Sequence, residues 1–121
     1  MATILVADDN KHIAAVLEEY LKKEGHTPHI ARDGRQALEM FRALSPDAVL
    51  LDVMMPVMEG FSVCREIRRT STVPIIMVTT EAEKARVLEA IQAGISDYLV
   101  KPFDKDDLQK KVEKHCPALA Q

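Results

Sequence analysis

Asp47-Ala48-Val49-Leu50-Leu51-Asp52 sets four consecutive apolar residues between two aspartates, with no polar alternation. A strand with one wet face would alternate, so Asp47 to Leu51 reads as a strand covered on both faces, as the central strands of parallel sheets are. Pro74-Ile75-Ile76-Met77-Val78 is a second uninterrupted run of this kind. Two such strands require packing layers on both sides of one sheet, and the segments between them must supply those layers.

Outward from this centre the chain alternates strand and helix. Ile4 to Ala7 is a short apolar run halted by Asp8-Asp9-Asn10, which are turn and cap residues. Ile13, Val16, Leu17, Tyr20 and Leu21 recur at helical spacing before Gly25, predicting a helix over about Lys11 to Glu24. Thr27 to Ala31 is a weaker strand whose Pro28 suits a sheet edge. Asp33-Gly34 opens a second helix carrying Ala37, Leu38, Phe41 and Leu44.

A loop from Asp52 to Glu59 precedes a third helix marked by Phe61, Cys64 and Ile67, and a Thr79-Thr80-Glu81 turn follows the fourth strand. Val87, Leu88 and Ile91 mark a fourth helix ended by Gly94, and Tyr98-Leu99-Val100 a fifth strand. Asp104 to Asp107 form the acidic first turn of a fifth helix, favourable at the positive end of the helix dipole. Strict alternation predicts an α/β fold, a doubly wound parallel sheet with right-handed crossovers, as one domain over residues 1–121.

With 121 residues, 47% hydrophobic and 29% charged, the chain can bury one core and is not a disordered sequence. A formal net charge of -3 gives no general attraction to nucleic acid or anionic lipid. The longest apolar runs fall far short of the roughly 20 residues of a membrane span. The N-terminus shows no basic region followed by a cleavable apolar segment, so a cytoplasmic location is expected. Cys64 and Cys116 form no CxxC pair and read as reduced thiols, Cys64 facing the core and Cys116 on a terminal segment.

In open parallel sheets the functional groups gather beyond the carboxyl ends of the strands. Those ends here carry Asp8 and Asp9, then Asp52, then Thr79, then Lys101. Unit charges about 4 Å apart interact by roughly 4 kcal/mol at an effective dielectric near 20, so three converging carboxylates need a positive partner. Lys101 supplies one charge and a hard divalent ion such as Mg²⁺ two, with carboxylates, a carbonyl and water as its ordinary ligands. With that ion bound, the Asp52 carboxylate is the candidate nucleophile for a phosphoryl group.

Taken singly, each residue has a plainer reading. Asp8-Asp9 can cap the first helix, Thr79 can be a hydroxyl bonded to backbone, and Lys101 a solvated lysine before Pro102. Asp52 directly after four apolar residues is harder to dismiss, because a carboxylate near the core is costly without a purpose. The set, spread over the ends of alternating strands, carries the functional reading. Met54, Met55 and Met58 read as loop and core packing beside hard oxygen donors. His12, His26, His29 and His115 have no metal-binding spacing and are expected at the surface.

Ala7-Asp8-Asp9-Asn10, Leu51-Asp52-Val53-Met54-Met55-Pro56 with Gly60 beyond, Val78-Thr79 and Tyr98-Leu99-Val100-Lys101-Pro102-Phe103 together resemble the receiver domains of two-component response regulators. The resemblance covers nearly the whole chain, in family order and spacing, and Val78 to Lys84 with Gln92-Ala93-Gly94 is similar to the CheY-like chemotaxis regulators. It implies the flavodoxin-like (βα)5 fold with strand order 2-1-3-4-5 and a Lys101-Pro102 bond that is often cis. It further implies Asp52 as phosphoacceptor, Mg²⁺ (Mn²⁺ as the alternative) held by Asp8, Asp9, Asp52 and the Met54 backbone carbonyl, and Lys101 on a phosphoryl oxygen.

The same resemblance implies a sensor histidine kinase or a histidine phosphotransfer protein as donor. Thr79 and Tyr98 would be switch residues altering the surface of helix four, strand five and helix five for an output protein, in chemotaxis or another pathway. Such a protein is a phosphoacceptor switch and not an enzyme, monomeric or dimeric on phosphorylation, with no nucleic-acid or membrane contact of its own. Met54 and Thr80 depart from the chemotaxis pattern beside the phosphoryl site while Glu81 matches it, so a dephosphorylation rate unlike the fast regulators is expected. The alternatives are a receiver excised from a longer transcription factor or output enzyme, and, more remotely, an aspartate-nucleophile phosphohydrolase. The latter would carry a second Asp where Met54 stands. A flavodoxin-like nucleotide binder would want a Gly- or Ser-rich phosphate loop where Asp8-Asp9 stands.

Overall fold

The computed structural model describes residues 2–80 and 86–115. Glu81 and Cys116 therefore lie outside the described residues. The strands are β1 (Thr3–Ala7), β2 (Thr27–Ala31), β3 (Ala48–Asp52), β4 (Ile75–Thr80) and β5 (Asp97–Lys101). The helices between and after them are α1 (Lys11–Lys23), α2 (Gly34–Leu44), α3 (Gly60–Arg68), α4 (Val87–Ala93) and α5 (Lys105–His115). The strands form one parallel sheet in the order β2-β1-β3-β4-β5, the flavodoxin-like arrangement expected.

The two uninterrupted apolar runs are explained by the two faces they serve. Leu5, Val49, Leu51, Ile75 and Met77 point into one cluster with Leu38, Phe61, Cys64 and Ile67 of α2 and α3. Ile4, Val6, Leu50, Ile76 and Val78 point the other way, onto Leu17 and Leu21 of α1 and Leu108 and Val112 of α5. Each fully buried Leu or Ile contributes about 1.5 to 3 kcal/mol relative to exposure, so the alternating faces fix the register strongly. Cys64 is buried as expected.

The bounds of β1, β3, β4 and β5 differ from the sequence reading, those of β3 and β4 with most consequence. β3 begins at Ala48 and includes Asp52 as its last residue, and β4 begins after Pro74 and runs through Thr79 to Thr80. Asp52 pairs with Val78 and Thr79 with Val100. A parallel ladder is made by backbone amides and carbonyls, so it continues past the point where the apolar side chains stop. The shift makes Asp52 and Thr79 part of a rigid sheet instead of a loop.

Helix caps settle one alternative. Asn10, not Asp8 or Asp9, caps α1: its side-chain oxygen accepts from the amides of His12 (2.9 Å) and Ile13 (3.1 Å). The helix closes with Gly25 at φ 86, its amide donating to Lys22 and that of His26 to Leu21, a turn that a left-handed glycine favours. At α5 the Asp104 and Asp107 carboxylates each accept from the other's amide (2.8 and 3.1 Å), which explains the acidic first turn.

Candidate functional site

Because β1 and β3 are neighbours, Asp8, one residue past β1, stands beside Asp52 at the end of β3. Carboxylate oxygens of Asp8, Asp9 and Asp52 lie within 4.8 Å of one another. Lys101, the last residue of β5, reaches across with its Nζ 3.3 Å from Asp52 Oδ1 and 3.7 Å from Asp8 Oδ2. The Lys101-Pro102 peptide is cis. Four of the residues singled out from the sequence therefore meet at one point.

The acids are not equivalent. Asp8 is wholly buried and Asp52 nearly so, whereas Asp9 is exposed. Asp8 Oδ1 accepts from the Asn10 amide at 2.9 Å, but its buried Oδ2 has no hydrogen-bond partner. Burial raises the Asp8 pKa, the Asn10 amide and Lys101 pull it back, and the Asp9 charge adds to the rise. A buried carboxylate oxygen without a donor costs about 1 to 3 kcal/mol, and such groups call for an explanation such as a bound ion. Three carboxylates with one oxygen unsatisfied fit a hard divalent cation.

Thr79 is buried, and its hydroxyl donates to the Thr80 carbonyl at 3.3 Å. Tyr98 is half-buried, its ring packed against the cluster beneath α3 and α4. A small cavity separates Thr79 from Tyr98, walled by Val53, Met77, Ala90 and Ile95. Met54 turns its side chain outward, 54% exposed, with its sulfur 3.9 Å from Arg86 Nη1.

Gly60 fixes the loop after Asp52. A Cβ there would collide with the Asp52 carbonyl oxygen and come within 3.2 Å of the Met77 sulfur, while the Gly60 amide donates to Val53 at 3.0 Å. We expect Gly60→Ala to lower the unfolding free energy by about 1 to 3 kcal/mol, read from urea melts, because the clash is with backbone that cannot yield.

Sequence reasoning missed a second charged group. Asp97 opens β5 and accepts from Tyr98 N and Lys111 Nζ (2.8 and 2.9 Å), with His115 Nε2 at 2.8 Å and Lys114 Nζ at 3.6 Å. His115 is thus half-buried in a polar cluster, and His26 is half-buried too, its Nδ1 accepting from Ala2 N at 3.1 Å. The surface default fails for both because each ring has a specific partner. Lys111 and His115 are four apart and so neighbours on one helix face, which brings both to Asp97. Burial alone would raise the Asp97 pKa, but the bonds from Lys111, His115 and the Tyr98 amide hold it well below the usual 3.8. Its contribution is therefore complete above that value and lost as pH falls through the lower folded pKa. Asp97→Asn should cost about 1 to 3 kcal/mol near neutrality, a gap that closes in urea melts as the pH is taken below the ordinary carboxylate range.

A flavodoxin-like sheet bearing an acidic cluster and a lysine at its carboxyl edge defines a class, and sequence comparison places the chain in it. The model of the response regulator receiver domain matches residues 4–113, and the chain belongs to that family, whose members act in two-component systems. Among relatives, "Probable transcriptional regulator ycf27" of Guillardia theta is 40% identical over 109 residues, 90% of this chain. The match spans only 43% of that relative's length. The chemotaxis protein CheY4 of Vibrio cholerae superposes with a TM-score of 0.89 at 34% identity, covering 95% of this chain and 98% of its own. The receiver domain of the sensor histidine kinase PA1611 from Pseudomonas aeruginosa PAO1, described with a magnesium ion coordinated in the active site cleft, gives 0.87 at 35% identity, covering 94% and 96%. Among the described residues no helix is long and apolar enough to cross a membrane.

Proposed function

We propose that Asp52 accepts a phosphoryl group from a phosphohistidine on a sensor histidine kinase or a histidine phosphotransfer protein, and that the chain acts as a switch and not as an enzyme with turnover. The observation that carries this is Lys101 Nζ held between Asp52 Oδ1 and the otherwise unbonded Asp8 Oδ2. Asp8, Asp9, Asp52 and the Met54 carbonyl are the residues that would hold Mg²⁺, with Mn²⁺ as the alternative ion. The magnesium described for the Pseudomonas receiver supports that assignment. When bound, such an ion supplies positive charge where phosphoryl oxygens gather.

In the transfer, an Asp52 carboxylate oxygen forms the new bond to phosphorus as the phosphorus–nitrogen bond of the donor breaks. The imidazole leaves with that electron pair and takes up a proton. Asp52 is pointed by its place at the end of a rigid strand, and Lys101 stabilises charge on the transferring group. Thr79 and Tyr98, flanking one small cavity, are the groups that respond: the Thr79 hydroxyl turns to the phosphoryl group and Tyr98 moves inward. The surface of α4, β5 and α5 then changes its preference for an output protein, and the chain stays monomeric or dimerises. We place it in the cytoplasm, where both partners would meet it.

The test is intact mass after incubation with acetyl phosphate and Mg²⁺. A single phosphoryl adduct that requires the metal and disappears in Asp52→Ala is the expected result; no adduct under any condition would sink the proposal. CheY4 favours a free-standing chemotaxis switch. A second reading, a receiver cut from a longer regulator, is favoured by the ycf27 relative, of which the match covers 43%. Phosphorylation-dependent dimerisation in sedimentation would support the second.

Met54 also sets a rate. Its exposed thioether is a weak acceptor with no hydrogen to donate, whereas an amide can both donate and accept. We expect Met54→Asn to shorten the phosphoryl lifetime on the order of tenfold, followed by mass after the donor is removed.

A further inference from the structure

We propose that Arg86 is a positioning residue that ties α4 to the loop following Asp52, so that occupancy of the Asp52 site and attachment of α4 are linked; the linkage rests on the phosphoacceptor reading above. Four contacts carry it. The Arg86 guanidinium, at the N-cap of α4, lies 4.5 Å from the Phe61 ring centroid, 3.6 Å from Glu59 Oε1, 3.9 Å from Met54 Sδ, and 3.2 Å from Glu89 of α4. Glu59 and Phe61 flank Gly60, whose close approach to the Asp52 carbonyl fixes the loop. The guanidinium therefore touches the segment that must accommodate a phosphoryl group, at both its Met54 and its Phe61 ends.

The other end of α4 is held differently. Arg68 of α3 donates to the carbonyls of Gly94 (2.7 Å), Val73 (2.7 Å) and Ser71 (3.2 Å) and to Ser96 Oγ (3.3 Å). These acceptors are mostly backbone and lie far from Asp52 along the strands, so that attachment is insensitive to the site. Of the partners of Arg86, Met54 lies on the loop after Asp52, Glu59 caps α3 and Phe61 is buried in the first turn of α3, so this attachment runs to the segment that leads out of the site. Between the two, α4 turns Leu88 and Ile91 outward, 68% and 59% exposed. A helix pinned at its carboxyl end and latched at its amino end pivots when the latch is released, carrying that apolar face with it.

Linkage is reciprocal at equilibrium: if phosphorylation releases the latch, loss of the latch favours the phosphorylated form, and the labelling rate rises with it where the transition state already bears part of the release. The full chain, wild type against Arg86→Ala and Arg86→Lys, is compared by hydrogen exchange of α4, by acetyl phosphate labelling followed by mass, and by urea melts. Without donor, Arg86→Ala should raise α4 exchange about tenfold with the urea midpoint and α1 exchange unchanged. Its labelling rate should rise about fivefold or more, with Arg86→Lys between it and wild type. Phosphorylated wild type should match the α4 exchange of unphosphorylated Arg86→Ala. An adduct on wild type with neither the α4 exchange nor the labelling rate altered in Arg86→Ala overturns the latch alone, as does a rise in exchange spread over the whole sheet. Absence of any adduct on wild type overturns the phosphoacceptor reading and the linkage with it.

Discussion

Asp8→Asn is expected to make the metal-free protein more stable by about 1 to 3 kcal/mol and to remove its stabilisation by Mg²⁺. The first effect follows from the buried Oδ2 with no hydrogen-bond partner and from a pKa raised by burial. For an acid whose folded pKa lies above its unfolded value of 3.8, folding is opposed once the group must ionise. The penalty is absent below that value and grows as pH rises through the folded pKa. The amide removes that charge, while Lys101 keeps its partner at Asp52, 3.3 Å away. The second effect follows from losing a ligand: wild type gains about 2.7 kcal/mol at a Mg²⁺ concentration 100 times its dissociation constant, and the variant does not. Urea melts in chelator and in Mg²⁺ should therefore reverse the order of the two proteins. A variant less stable than wild type in chelator at neutral pH would show that Asp8 is satisfied by its surroundings without an ion.

Much of this was legible in the residues, and the illegible part has a physical pattern. The runs Ala48 to Leu51 and Ile75 to Val78 announced two-faced burial, and the turns after them announced the alternation with helices. The order of the strands did not follow from those runs, because every parallel pairing buries a doubly apolar strand equally well; only the resemblance implied it. The gathering of Asp8, Asp9, Asp52 and Lys101 was legible because a parallel sheet sends all its carboxyl ends to one edge. Which acid would be buried was not, since Asp8 and Asp9 are chemically identical in sequence and differ by the one-residue alternation that turns the first inward. Asn10 stood as one of three adjacent cap residues, and nothing in their order told which of them caps α1. Arg86 and Asp97 were missed for another reason: their partners are distant in sequence, Met54 by 32 residues and His115 by 18, and no local period encodes such a meeting.

Replacing Lys101 should separate the two duties of the same ammonium. In chelator, Lys101→Ala leaves the carboxylates of Asp8 and Asp52, whose side chains are 1% and 6% exposed, without the ammonium that lies 3.7 and 3.3 Å from them. Removing one partner of a buried ion pair costs about 3 to 5 kcal/mol, so the metal-free variant should unfold at markedly lower urea. Mg²⁺ should restore more stability to the variant than to wild type, because the ion no longer meets a like charge beside its ligands. Phosphorylation from acetyl phosphate should nonetheless fall by about 100- to 1,000-fold even with Mg²⁺ saturating, since a preorganised donor to the transferring oxygens is gone. Stability rescued by metal while the rate is not would identify Lys101 as counter-ion in the resting protein and charge stabiliser in the transfer. A wild-type labelling rate in the rescued variant would confine Lys101 to the first duty, and the stabilisation of the transferring phosphoryl group would then have to come from the metal alone.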